Sequence, residues 1–264
     1  MKKLIKPILY LLSILLFVSG TVWLLKFAHS RHSERVCDVV RVFVDSGNGD
    51  VFITENEIIE KLFTSKLHPE GQTANLNTYA IENFLLQNSA IQNVSVFTQI
   101  SGEVDIRVLQ RQPIARIENA RQQQFYIGAD GGLMAINPNH TARLIIVNGN
   151  ITEPFIPNKN ILKPATSKAS ETSMLNKIYQ LATFIRNDEF LNALIAQIYV
   201  NSRNEFELVP KIGNQIILLG SAENYEDQFL RLYRFYHYAA RKVDISTYRT
   251  INLKYNNQVI GTRI

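Results

Sequence analysis

Cysteine is almost absent from this chain of 264 residues. Cys37 is the single one, so no internal disulfide can form; an oxidising compartment is permitted but not required. The familiar catalytic signatures are missing too. There is no Gly-x-Ser-x-Gly elbow, no His-Glu-x-x-His pair and no Ser-x-x-Lys. Histidine is sparse, at five residues. His29 and His32 have a spacing that suits one helix face, but no third ligand follows at metal-site spacing. His237 sits among aromatics and reads as a partly buried helix residue. Excess charge is lacking where a nucleic-acid binder needs it. Residues 1–26 hold Lys2, Lys3, Lys6 and Lys26 and no acid, which leaves 24 basic against 23 acidic residues in the remainder. With so even a balance, the rest of the chain has no electrostatic footprint for DNA or RNA. No cofactor motif is visible either. Gly47-Asn48-Gly49 is a turn cluster, without the further Gly-Lys-Ser/Thr of a phosphate loop.

What is present begins with a run of 18 uncharged residues, Ile8 to Leu25, bracketed by Lys6 and Lys26. As a helix it spans roughly 27 Å, close to the hydrocarbon thickness of a bilayer. Ala28-His29-Ser30 resembles a signal-peptide cleavage site, but the run is longer than the usual h-region, which favours an uncleaved anchor. The flanking cations tie, at Lys2, Lys3 and Lys6 against Lys26, Arg31 and Arg35; the terminal amine tips the N-terminus inward. The expected organisation is a cytoplasmic tail (1–7), an anchor (8–26) and a polar linker (27–35). Two domains follow, 36–110 and 111–264, outside the cytoplasm.

Val36 to Val44 is Val-rich and reads as a strand. Thr54-Glu55-Asn56-Glu57 is a capping box that opens a helix bearing Ile58, Ile59, Leu62 and Phe63. A second helix over about 77–87 presents Ile81, Phe84 and Leu85. Strands with Val94 and Val96, then with Val104, Ile106 and Val108, flank the turn at Ser101-Gly102. The order strand-helix-helix-strand-strand makes a small α+β module. Beyond Pro113 strands dominate: 114–117, 125–127, 133–136, 144–147, 198–200, 206–209 and 216–219. Two helices, over about 172–187 and 222–240, interrupt them. In the second, Tyr225, Phe229, Leu232 and Tyr236 recur at helical spacing and read as a face packed on a sheet. The last regular pattern is Tyr248 to Tyr255, where Ile251, Leu253 and Tyr255 alternate with polar residues. The fold class expected is α+β, with one transmembrane helix, a β-α-α-β-β module and a β-rich domain of mixed sheet and flanking helices.

This layout resembles the FtsQ/DivIB family of bacterial cell-division proteins, whose first extracytoplasmic module is a POTRA domain. Arg111-Gln112-Pro113-Ile114-Ala115-Arg116 is similar to the family's basic-x-Pro-aliphatic-Ala junction, with Gln110 in place of the usual preceding acid. Tyr126 to Gly131 is similar to its turn-Gly hairpin, and Phe206 to Gly220 to its hairpin ending in Leu-Gly. Ile251-Asn252-Leu253-Lys254-Tyr255 resembles its Asp-Leu-Arg-Tyr strand.

The resemblance implies a non-enzymatic, cofactor-free divisome scaffold of the inner membrane at the septum. It would bind FtsB/DivIC-type and FtsL-type proteins, among other divisome components, and link early division proteins to septal peptidoglycan synthesis. It further implies that the terminal strand is the partner-binding edge, with Tyr248, Thr250, Ile251, Asn252, Leu253, Lys254 and Tyr255 at the contact and Arg203 beside it. An edge strand with unpaired main-chain groups suits β-augmentation on physical grounds as well. A POTRA-bearing assembly or transport factor is the alternative. Such factors usually couple to a membrane barrel, and no run of amphipathic barrel strands is present.

Overall fold

The computed structural model describes residues 13–26, 37, 39–47, 50–69, 76–99, 101–138, 140–163, 173–242 and 244–264. A helix, α1, covers 13–26. Residues 8–12 of the expected anchor lie outside the described residues. Among the described residues no helix is long and apolar enough to cross a membrane. The chain divides into two compact units. The first comprises 1–44, 54–85 and 94–108, the second 45–53, 86–93 and 109–264.

The small module follows the expected order: β1 (Val40–Asp45), α2 (Glu55–Thr64), α3 (Thr78–Leu86), β2 (Ile91–Thr98) and β3 (Val104–Gln110). The strands order as β1-β3-β2. β1 starts later than the Val-rich stretch suggested, since 37 and 39 are not strand and 36 and 38 lie outside the described residues. The capping box is formed. Thr54 Oγ1 accepts from Glu57 N–H at 3.3 Å, and Glu57 accepts from Thr54 N–H at 3.1 Å, satisfying two of the donors that a helix start leaves free. Helical spacing then turns Ile58 and Leu62 of α2 and Ile81 and Leu85 of α3 inward, while Val94, Val96, Val104, Ile106 and Val108 are buried from the sheet.

The second unit is built on nine strands. They are β4 (Pro113–Glu118), β5 (Gln124–Gly128), β6 (Leu133–Ala135), β7 (Ile145–Gly149), β8 (Ile195–Val200), β9 (Phe206–Pro210), β10 (Ile216–Gly220), β11 (Tyr248–Asn252) and β12 (Ile260–Arg263). Their order is β12-β11-β10-β9-β8-β7-β4-β5-β6. β4, β7 and β8 run parallel, as do β10 and β11; the remaining neighbours are antiparallel. Parallel neighbours need crossovers. Helices α4 (Met174–Asn187) and the short α5 (Glu189–Leu194) link β7 to β8, and α6 (Tyr225–Lys242) links β10 to β11. Both crossovers lie on one face, where α4 and α6 meet through Phe184 stacked on Phe229 at 5.6 Å. Leu175, Ile178, Ala182, Phe229 and Leu232 share one core with Ile198, Leu208, Ile217 and Ile251. On the other face, Phe52 and Ala90 cover Tyr126 and Met134 at the β5–β6 end.

The junction motif has a structural account. Arg111 is buried, its Nε donating to Asp130 Oδ2 at 3.1 Å and its Nη1 to Ser89 O. A Cβ at Gly132 would come within 2.6 Å of the guanidinium, so any other residue there would have to displace it. Gln110, fully buried, accepts from Phe52 and Ile53 N–H and donates to Asp50 O at 2.7 Å. That donation is open to an amide and closed to a carboxylate, which accounts for Gln rather than an acid at this position.

Gly149 ends β7 at φ +106, and a Cβ there would lie 2.1 Å from Val200 O. Gly149→Ala combines a left-handed penalty with a clash against main chain in the middle of the sheet. It is expected to cost on the order of 2–4 kcal/mol in urea unfolding. An unchanged midpoint would show that the β7–β8 pairing does not depend on this close approach.

Candidate partner-binding edge

β11 lies between two strands. Ile216, Ile217 and Leu218 of β10 stand opposite Thr250, Ile251 and Asn252 on one side. Thr262, Gly261 and Ile260 of β12 stand opposite the same three residues on the other. The expected outermost strand, 248–255, is therefore corrected in two ways. It stops at Asn252, and its outer side is filled by the chain's own final residues. The pattern at 260–263 gave no warning: four residues, one of them glycine, all exposed, with nothing buried to impose alternation.

Leu253 N–H donates to Leu218 O at 2.9 Å. Strand alternation then turns the main-chain groups of Thr250 and Asn252 toward β12. Ile264 N–H donates to Thr247 O at 3.0 Å. By the same alternation the N–H and C=O of Gly261 and Arg263 point away from β11, to the free side. The two ends of the sheet differ here. At β6, Leu133 N–H donates to Lys159 O, Asn158 N–H donates to Leu133 O, and Gly132 bridges Asn160, so residues 158–160 close that edge. Among the described residues no strand or bridge covers β12.

The expected contact residues separate by side chain. Ile251 and Leu253 are fully buried in the helix-facing core. Thr250 and Asn252 sit half-buried on the opposite face, paired across to Thr262 and Ile260. Tyr248 packs edge-on against Phe235 at 5.9 Å, with the Arg263 guanidinium over its ring. A Cβ on Gly261 would lie 2.5 Å from that ring, so glycine lets β12 pass beside it. Tyr255 is exposed.

Arg203 and Lys254, far apart in sequence, come together on one carboxylate. Lys254 Nζ lies 2.6 Å from Glu205 Oε2, and Arg203 Nη2 lies 3.3 Å from the same oxygen. The β8–β9 turn holds Arg203 in place: Asn201 Oδ1 accepts from Arg203 N–H and Glu205 N–H, and Asn204 takes the left-handed conformation at φ +60. The Arg203 side chain stays 73% exposed, leaving most of its donors free.

Two residues that sequence reasoning missed hold this end of the sheet. Arg231 is 9% exposed on α6. It donates from Nη1 to Tyr255 O at 2.7 Å and Gln258 O at 2.6 Å, from Nη2 to Leu253 O at 3.2 Å, and from Nε to Asp227 at 2.9 Å. Gln228 donates to Leu219 O at 2.7 Å and to Leu253 O at 3.2 Å. Their signal was positional. Tyr225, Gln228, Phe229 and Leu232 follow i, i+3, i+4, i+7, which puts Gln228 on the buried stripe and Arg231 at its margin.

A family model described as FtsQ/DivIB, C-terminal related, matches residues 112–262, more than half of the chain. The chain belongs to the FtsQ/DivIB family. A POTRA-like domain model matches residues 35–109. The search of curated proteins gives no match. FtsQ/DivIB proteins are non-catalytic cell-division scaffolds, associated with the septal membrane and with other division proteins as partners. Among the described residues, no cluster of three or more His, Cys, Asp or Glu is placed to hold a metal.

Arg231→Met fills the same space but strips a donor from three carbonyls. It is expected to cost about 1–3 kcal/mol in denaturant unfolding and to speed amide exchange across 248–263 first. Uniform exchange across the sheet would contradict a local clamp. The Lys254 ammonium, bonded to Glu205, holds that carboxyl below its ordinary value. A depressed folded pKa means the pair is complete above the ordinary carboxylate range and is lost as pH falls through the lowered value. Carboxyl NMR titration should show the Glu205 midpoint rise in Lys254→Met; an unmoved midpoint would remove Lys254 as the cause.

Proposed function

We propose that this FtsQ/DivIB protein is a non-enzymatic divisome scaffold that captures FtsB/DivIC-type and FtsL-type partners by β-augmentation on the free edge of β12. On this reading residues 8–26 anchor it once in the cytoplasmic membrane with the N-terminus inside. Domains 36–110 and 111–264 then lie outside, linking early division proteins to septal peptidoglycan synthesis. The observation that carries the partner-binding part is the outer side of β12, exposed and unpaired among the described residues, in a sheet whose other edge is closed. Main-chain groups supply affinity in this mode and neighbouring side chains supply selectivity. Arg203, Lys254 and Tyr255 remain exposed or half-exposed around the loop that leads into β12, and the cations suit an acidic flank on the partner segment. Tyr248, Thr250, Ile251, Asn252 and Leu253 act from beneath, by fixing the register in which β12 is presented.

Arg263→Pro removes an outward N–H and leaves the inward ones in place, while Arg263→Ala removes only the side chain. With full-length protein and the FtsB/DivIC-type and FtsL-type partners of the same cell, Arg263→Pro is expected to weaken capture roughly tenfold and Arg263→Ala much less. A chain ending at Val259 decides the alternative. Capture that survives loss of β12 would mean that the partner replaces it on β11. Capture unaffected by any of the three would move the interface off this edge.

A further inference from the structure

A concave surface lies at the end of the parallel strands where β4, β7 and β8 begin. Its cavity of about 440 Å³ has Ile114, Ile145 and Ile195 among its lining residues. Arg143 before β7, Arg186 in the last turn of α4 and Lys211 after β9 bring three cations to it, and no carboxylate lines it. Lys211 Nζ donates to Asn192 O at 2.6 Å, which fixes the ammonium at the rim. Among the described residues neither Arg143 nor Arg186 has an acidic partner within ion-pair distance. Three like charges around one concave, partly apolar surface make its potential positive and attract an anion.

The surroundings select the kind of anion. The nearby end of α4 is its C-terminus, whose carbonyls carry partial negative charge. No helix N-terminus or glycine-rich loop lines the cavity to cradle a phosphate. The cations come from three separate elements over an aliphatic floor. That arrangement suits several singly charged carboxylates interleaved with aliphatic side chains better than one compact, multiply charged group.

We propose that this cavity binds an acidic, aliphatic-rich peptide segment of a partner protein, through Arg143, Arg186 and Lys211 and independently of the β12 edge. The test uses full-length protein and a fluorescent peptide alternating Glu and Leu, with a Gln and Leu peptide as control. Each of Arg143→Gln, Arg186→Gln and Lys211→Gln is expected to weaken binding about two- to fivefold, and all three together more than tenfold. Arg263→Pro should leave binding unchanged, which separates this site from the edge strand. Equal binding of the control peptide overturns the proposal, as does undiminished binding by a triple variant whose circular dichroism is native. Charge-dependent binding of phosphatidylglycerol vesicles without peptide binding would overturn it in favour of a lipid.

Discussion

Arg231 reaches from α6 to the carbonyls of Leu253, Tyr255 and Gln258 while Asp227 balances its charge, and the free end of the sheet is built on that grip. β12 itself is held through its pairing with β11 and through the loop that Arg231 grips. Its three side chains are exposed, so it gains little from burial, and among the described residues its only neighbouring strand is β11. A strand with so little apolar cover does not hold its place by its own side chains. A guanidinium removed from most solvent forms stronger bonds than one at the surface, and its planar fork reaches several acceptors without further ordering. The turn into β12 is thus ordered from beneath, and among the described residues nothing pairs with the outer side of the strand.

The crossover topology explains why the grip comes from α6. That helix follows β10 and must return the chain to a parallel β11, so it lies across the strands it joins. Its residues at i, i+3 and i+4 meet the β10 and β11 ends. Gln228 spans both, donating to Leu219 O and Leu253 O, and Arg231 one turn on meets the loop that β11 leads into. Lys254 and Glu205 fasten the same loop to the β8–β9 turn. Two separate elements, α6 and the β8–β9 turn, thus converge on residues 253–258, the segment in which the chain reverses to make β12.

Much of the fold was legible because it is driven by burial. Ile58 and Leu62, Ile81 and Leu85, and the aromatic face of α6 each follow the period of the element that buries them. Thr54 and Glu57 announce a helix start through chemistry that few other arrangements satisfy. The short α5 was not legible, since six residues are too few to show a period. β12 was invisible for a different reason: an exposed strand is selected by main-chain pairing, which any non-proline sequence can supply. Arg231 and Gln228 were hidden because polar residues on a buried stripe read as solvent-facing until the acceptors are known. Arg203 and Lys254 were both named from the sequence, but their meeting on Glu205 depends on the β8–β9 turn reaching the end of β11, which no local pattern encodes.

The contrast between the two ends of the sheet bears on function more than either end by itself. Open strand edges invite unwanted pairing, and soluble proteins usually cover, shorten, bulge or charge them. At β6 the edge is three residues long and is closed by 158–160. At β12 the remedies are weaker. The strand is short and carries one charge, Arg263, but that guanidinium lies over Tyr248, and proline is absent. A register shift between Tyr248 and Thr250 of β11 distorts only the last pairing of β12, that of Arg263 with Tyr248. An edge whose approach is ordered by a buried arginine, yet which no other described residue pairs, is costly to keep unless something pairs with it.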